Sequence, residues 1–228
     1  MALIAIEGID GAGKRTQTEC LVEALQSAGV RSTWLSFPRY GETKASEAIS
    51  GYLNGVFGPL EAIPNHMPAL LYAEDRYESR SLLARLRETH DVVVVDRYVA
   101  SNLAYQSARV PMPRRTAFID WLAKIEHVVN GLSQADLTIL LDVPVDTSAS
   151  LVARKGAREY TRQAADLHER NTAYLSRCRE TYLDLCTRQY RSQWQLISCM
   201  DADGHLRSIE SICAEVGNVA GSFLRQPD

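Results

Sequence analysis

No run in this sequence comes near the ~18 consecutive apolar residues that a membrane-spanning helix requires, and no run of five or more basic residues is present. The first absence argues against a membrane partner. The second, with a net charge of -3 and a pI near 6.0, argues against polymeric nucleic acid. The five cysteines (Cys20, Cys178, Cys186, Cys199, Cys213) are odd in number, scattered and without a C-x-x-C pair, which speaks against a disulfide framework or a zinc site. His66, His90, His127 and His205 show no metal-ligand spacing and accompany no Cys or Ser suited to nucleophilic catalysis, so they read as structural. The opening residues Met1 to Glu7 lack a basic n-region and a small-residue cleavage site, and read as a buried strand rather than a signal peptide. A cytoplasmic protein is expected.

What is present is an alternation of short apolar, partly β-branched runs with longer helical patterns, the pattern of βαβ units around a parallel sheet buried on both faces. The strand candidates are Leu3 to Glu7, Thr33 to Phe37, Val92 to Asp96, Leu137 to Asp142 and Trp194 to Ser198. Leu21, Ala24, Leu25 and Ala28 recur at helical spacing and Gly29 supplies a stop. Further helices are expected over Met67 to Arg87, Arg114 to Val129, Asp166 to Arg188 and Leu206 to Ala220, while Pro38 to Pro64 reads as a loop. At 228 residues the chain fits one α/β domain spanning 1–228: a five-stranded parallel sheet with helices on both faces. The positively charged stretch at about 154–165 reads as a basic lid.

The segment Gly8-Ile9-Asp10-Gly11-Ala12-Gly13-Lys14 follows the first strand and opens the first helix, as a phosphate-binding Walker A loop must. Glycines let backbone N–H groups turn toward a phosphate, the helix N-terminus adds positive potential, and Lys14 can reach the β and γ oxygens of a nucleotide. The next position departs from the motif: Arg15 stands where a Ser or Thr would ligate magnesium, and Thr16 comes one residue late. An arginine cannot hold Mg²⁺. Either carboxylates take over the metal, or Arg15 supplies charge to the transferring phosphoryl group, or the loop only binds nucleotide; a solvated arginine is the plain alternative.

The second strand ends in Phe37-Pro38-Arg39-Tyr40 and the third in Asp96-Arg97-Tyr98. Open α/β sheets bind ligands outside the carboxyl ends of their strands, and an arginine fork facing the phosphate loop suits a second phosphate, that of an acceptor. With Asp75-Arg76, Ser101-Asn102, Ala104-Tyr105-Gln106 and Asp166 with Glu169, these pieces give a chain that resembles the thymidylate kinase family from Leu3 to about Tyr182, most closely its mycobacterial branch.

The resemblance implies a P-loop nucleoside monophosphate kinase fold, ATP and dTMP as substrates, Mg²⁺ as cofactor, and by analogy a homodimer. It implies that Arg97 and Tyr40 hold the dTMP phosphate, with Phe37 and Arg39 beside them. Tyr72 would stack on thymine, Arg76 would donate to its O4, and Asn102 would read the N3 region, with Gln106 nearby. Tyr105 would lie beneath the sugar and exclude a 2′-hydroxyl.

Asp166 and Glu169 share a helix face and, with Asp10, can replace the missing Ser/Thr at magnesium or bind the sugar. His168 stands where the family offers a tyrosine that contacts the nucleotide. Because Gly11 precedes Ala12 in the phosphate loop, the arginine that closes on the γ-phosphoryl is expected from the lid, with Arg154, Arg158 and Arg162 as candidates. Two other readings are a deoxynucleoside kinase, which would need an acid at the end of the second strand, and a nucleotide-binding regulator without turnover.

Overall fold

The structure is a computed structural model that describes residues 1–59, 62–154 and 172–226. Five strands form one parallel sheet: β1 (Ala2–Glu7), β2 (Ser32–Ser36), β3 (Val92–Asp96), β4 (Leu137–Asp142) and β5 (Gln193–Ser198), in the order β2-β3-β1-β4-β5. Every residue of β1 and β3 is buried, as expected of apolar runs covered by helices on both faces. Four consecutive valines in β3 suit that environment, since β-branched side chains pack well on a pleated surface.

The helices are α1 (Lys14–Ser27), α2 (Lys44–Leu53), α3 (His66–Glu78), α4 (Arg80–Thr89), α5 (Val99–Ser107), α6 (Met112–Lys124), α7 (Val145–Arg154), α8 (Thr172–Thr187) and α9 (Ile209–Leu224). α1 packs with α9, and α5 packs with α8. The strands fall within a residue of expectation, but several helices do not.

The single helix expected from Met67 to Arg87 is two. Ser79 Oγ donates back to the Asp75 carbonyl at 2.9 Å, and such back-bonding bends a helix. The pattern from Arg114 to Val129 likewise starts earlier, at Met112 with Pro113 in its first turn, and ends in a π-helical turn over Ile125–Val129. The expected loop after Pro38 contains α2, whose first-turn N–H groups are capped from a distance: Glu78 accepts from the amides of Lys44 and Ala45, each at 2.9 Å. Helix α5 carries no clear periodic signal in the sequence, whereas α7 is amphipathic, with Ser148 and Val152 buried one turn apart, and was not among the expected helices.

The register places Ile6 opposite Asp96 in the β1/β3 pair, so the turns after these two strands leave the sheet side by side. Their adjacency matters because the first helix returns to β2 on the far side of β3, while the chain after β3 crosses to β4 on the other side of β1. This is a topological switch point, where open α/β sheets bind ligands.

Two substitutions test this placement of the core. Ile4, fully buried in β1, should cost about 2–5 kcal/mol when changed to Ala. Leu196→Ala on the edge strand, where the side chain is 44% exposed, should stay within ~0.5 kcal/mol. Urea unfolding of both variants measures the difference.

Candidate active site

The phosphate loop is held against the ends of its neighbours by positions that leave no room for a side chain. Gly11 has φ 80°, and a Cβ there would lie 2.6 Å from the Ser148 carbonyl oxygen; one on Gly8 would meet the Leu141 carbonyl at the same distance. Ser148 Oγ donates to the Asp10 carbonyl, tying the loop to α7. α1 then begins at Lys14 with no side chain capping it, so its first-turn N–H groups are oriented to receive an anion.

Lys14 is buried and donates through Nζ to the Ile9 carbonyl at 2.8 Å. Burial, followed by the nearby Arg97 charge, lowers its pKa to about 7. Arg15 faces outward on the same turn. Its side chain is 71% exposed, pairs with Glu19 at 3.0 Å and sits 5.7 Å from the centre of the Trp34 ring, while Thr16 is half-buried.

At the end of β3, Arg97 adopts φ 65°, a conformation few side chains accept, with its amide bonded to the Ile6 carbonyl at 3.1 Å. The buried carboxylate of Glu7 anchors the helix that begins just beyond this turn. Its Oε1 accepts from the amides of Tyr98 (2.8 Å) and Ser101 (3.1 Å) at the start of α5, and its Oε2 from the hydroxyls of Ser101 (2.6 Å) and Tyr182 (2.9 Å). Negative charge at a helix N-terminus is favourable, and here it comes from the adjacent strand.

The guanidinium of Arg97 is thereby turned onto the phosphate loop. Nη2 pairs with Asp10 Oδ1, Nη1 donates to Ser101 Oγ at 3.3 Å, and the group sits 5.2 Å from the centre of the Tyr105 ring. Tyr105 closes the circuit, its hydroxyl donating to Asp10 Oδ2 and accepting from the Asp10 amide, both at 2.9 Å. Burial works against the Arg97 charge, yet Asp10 and the neighbouring tyrosine oxygens push its pKa well above the usual arginine value. Burial and Asp10 push the Tyr105 phenol up, keeping it a neutral donor.

The opposite wall comes from the β2 turn and α3. Asp75 is fully buried and accepts from the Arg39 amide (3.1 Å) and the Thr43 hydroxyl, so α3 holds the turn that carries Phe37, Arg39 and Tyr40. The Arg39 side chain reaches Ser79 Oγ and Glu42, each at 3.4 Å. Tyr40 and Tyr72 pack on one small apolar cluster of Ile49, Tyr52, Leu53 and Ile63, between α2 and α3. Arg76 lies 5.9 Å from the centre of the buried Phe37 ring and is paired through Nε and Nη2 with Glu126. Asn102 and Gln106, one turn apart on α5, are both buried, and Asn102 Oδ1 and Gln106 Oε1 have no partner among the described residues.

Of the residues expected from the sequence to bind substrates, Arg97 and Tyr105 meet at Asp10, Arg76 and Asn102 meet at Glu126, Tyr40 and Tyr72 share an apolar cluster, and Arg15 faces solvent. Arg154 ends α7; Arg158, Arg162, Asp166, His168 and Glu169 lie outside the described residues. Three buried acids of the site, Glu7, Asp75 and Glu126, have roles that sequence reasoning missed. Glu7 closes the apolar β1 run and Glu126 continues the Ile119, Leu122, Ala123 face, and that phase was the available signal. Asp142, at the end of β4, is engaged by Arg179 at 2.6 and 2.8 Å. His205 lies near Asp201 and Asp203 in an exposed turn whose own amides bond the Asp201 carboxylate.

Comparison with known proteins points the same way. The family model described as Thymidylate kinase matches residues 6–200. A thymidylate kinase of Mycobacterium tuberculosis (strain H37Rv) is 35% identical over 204 residues, covering 90% of this chain and 94% of the relative. The human thymidylate kinase is 32% identical over 148 residues, 65% of this chain and 64% of the relative. A probable thymidylate kinase of Thermococcus onnurineus is 31% identical over 189 residues, 81% and 84% of the two chains.

The lowered pKa of Lys14 has a measurable consequence. With its pKa at about 7, Lys14 is mostly neutral at about pH 8 in the free protein, and the negative charge of a polyphosphate raises that value. Binding of ADP at about pH 8 should therefore take up a proton, an uptake that fades toward about pH 6, where Lys14 is already charged. Calorimetry in buffers of different ionisation enthalpy reads the uptake directly, and Lys14→Met should remove it.

Proposed function

This chain belongs to the thymidylate kinase family and moves the γ-phosphoryl group of ATP onto dTMP for dTTP synthesis; we propose that the turns after β1 and β3 are the donor and acceptor phosphate sites of that reaction. The observation that carries the proposal is the pairing of Arg97 with Asp10, because it sets the acceptor guanidinium directly against the loop that holds the donor. Lys14 and the first-turn amides of α1 take the β and γ oxygens. Arg97 and Tyr40 take the dTMP phosphate, with Asp10 between the two.

Transfer to a nucleoside monophosphate needs in-line positioning and neutralisation of spread negative charge more than it needs a base. A phosphate monoester has its second pKa near ~6, so the attacking oxygen is already largely ionised at neutral pH. The site accordingly offers buried cations and no catalytic histidine among the described residues. Tyr72 stacks on thymine, Arg76 and Asn102 read its edge, and Tyr105 excludes the 2′-hydroxyl.

The oxygen donors suit magnesium: Asp10, at the meeting of the phosphate loop and Arg97, is a hard carboxylate of the kind Mg²⁺ prefers. Asp10, with Asp166 and Glu169, would hold Mg²⁺, which when bound draws charge from the phosphoryl oxygens. Arg15, directed to solvent, is left to Glu19 or to a charge role at the edge of the site. His168 occupies the position of the tyrosine that contacts the nucleotide in the family, and we assign it to the same side of the site.

We read the chain as one catalytic domain with a basic lid at about 154–165 supplying an arginine to the γ-phosphoryl. A homodimer fits the exposed stripe of α3, where Leu70 and Tyr77, seven residues apart, are 44% and 42% exposed. No helix among the described residues is long and apolar enough to cross a membrane, and all five cysteines are free, which agrees with a reducing cytoplasm.

A coupled assay with dTMP, dUMP, dCMP and thymidine tests the assignment. Preference for dTMP is expected; thymidine turnover would favour a nucleoside kinase, and nucleotide binding without turnover a regulator. Within the same assay, Arg158→Ala or Arg162→Ala should cut kcat by up to ~10³ with little change in dTMP affinity, since arginines closing on a phosphoryl group act in the transition state. Unchanged kcat in both would remove the lid from the mechanism.

A further inference from the structure

The π-helical turn Ile125–Val129 carries one acid inward, and every polar group that acid meets belongs to the wall assigned to the base. Glu126 is fully buried. Its Oε2 accepts from Arg76 Nε at 3.0 Å, and its Oε1 from Arg76 Nη2 and from Asn102 Nδ2 at 2.8 Å. Burial opposes the Arg76 charge, and the Glu126 carboxylate more than offsets it.

The consequence lies in what the carboxylate leaves over. Asn102 Nδ2 faces two acceptors, Glu126 Oε1 and the Ala69 carbonyl at 2.9 Å. Both require N–H, so the amide cannot be flipped, and Oδ1 must point the other way, where it has no partner among the described residues. Arg76 spends Nε and Nη2 on the same carboxylate, leaving Nη1 as the donor not used by Glu126. One buried anion thus fixes an acceptor (Asn102 Oδ1) and a donor (Arg76 Nη1) on neighbouring helices.

We propose that Glu126 is a positioning residue for base specificity: by locking the Asn102 amide and the Arg76 fork, it sets a donor and acceptor pair that accepts a 4-keto pyrimidine and rejects a 4-amino one. A keto pyrimidine offers an O4 acceptor and an N3–H donor, matching Nη1 and Oδ1. A cytosine base offers N4–H donors and an N3 acceptor, opposing both. A site built around such pairing rejects the mismatched edge strongly because its own buried groups are left unpaired. The inference rests on the reading that Arg76 and Asn102 face the base.

The test is the ratio of kcat/KM for dTMP to that for dCMP, in which the concentration of folded enzyme cancels. The wild type should favour dTMP by about 10³ or more. In Glu126→Gln, where an amide nitrogen replaces one carboxylate oxygen and opposes a donor that oxygen now meets, the ratio should fall by about tenfold or more, chiefly through KM for dTMP. Glu126→Asp, which withdraws the carboxylate by one methylene, should lower the ratio less and serves alone if Glu126→Gln does not fold. In an Asn102→Ala background the substitution at Glu126 should move the ratio much less, since one of the two groups it positions is gone. A folded variant that slows both substrates equally would overturn the proposal and leave Glu126 a structural residue. A wild type without preference for dTMP over dCMP would instead overturn the assignment of Arg76 and Asn102 on which it rests.

Discussion

The carboxylate of Glu7 is the constraint on which the rest of the site depends. It is fully buried, sits at the carboxyl end of the central strand, and accepts from two amides and two hydroxyls. A buried carboxylate is tolerable only when its lone pairs are met, and meeting them here requires the first turn of α5 to lie against the end of β1. That requirement forces the chain between β3 and α5 through the left-handed turn at Arg97, and the turn aims the guanidinium at Asp10. Strand register, helix capping and the acceptor site are thus one arrangement. The acid that caps α5 stands one residue before the phosphate loop, so a single strand end shapes both cradles.

The same economy of charge runs through the cleft. Lys14 and Arg76 are buried cations and Arg97 a half-buried one, and Asp10, Glu126 and Asp75 are the acids that make this bearable or hold the surrounding turns. Buried ion pairs are weak evidence for stability, because desolvation consumes much of their attraction. In the reaction we propose, their use is preorganisation: charges already oriented toward where phosphate charge would gather need no reorganisation during transfer. The lowered pKa of Lys14 shows the other side of this, a lysine that burial leaves only partly charged until an anion arrives.

Much of this was legible in the sequence because the signals were local. Apolar runs marked all five strands within a residue, and the glycines, Lys14 and Arg97 stood at strand ends where an open sheet binds ligands. What was not legible depended on partners far away in the chain. α5 went unread because its first-turn amides are met by Glu7, more than ninety residues distant, and α2, capped locally only by Thr43, draws its other first-turn partner from Glu78, more than thirty residues away. The break at Ser79 arises from one hydroxyl bonding back along its helix, and Glu126, although in phase with the buried face of α6, is an acid whose partners Arg76 and Asn102 lie on other helices. Arg76 was expected at the base, but only the fold reveals that its fork is held by a buried acid.

The most direct measurement of the central claim is dTMP binding to Glu7→Gln, with thymidine and ADP as controls. If Glu7 acts by holding the Arg97 turn, dTMP affinity should fall by about tenfold or more, as expected for a lost charged hydrogen-bonding partner, while thymidine and ADP bind as to the wild type. Equal weakening of dTMP and thymidine, or no weakening of either, would contradict the account, because the phosphate site would then owe nothing to that buried carboxylate.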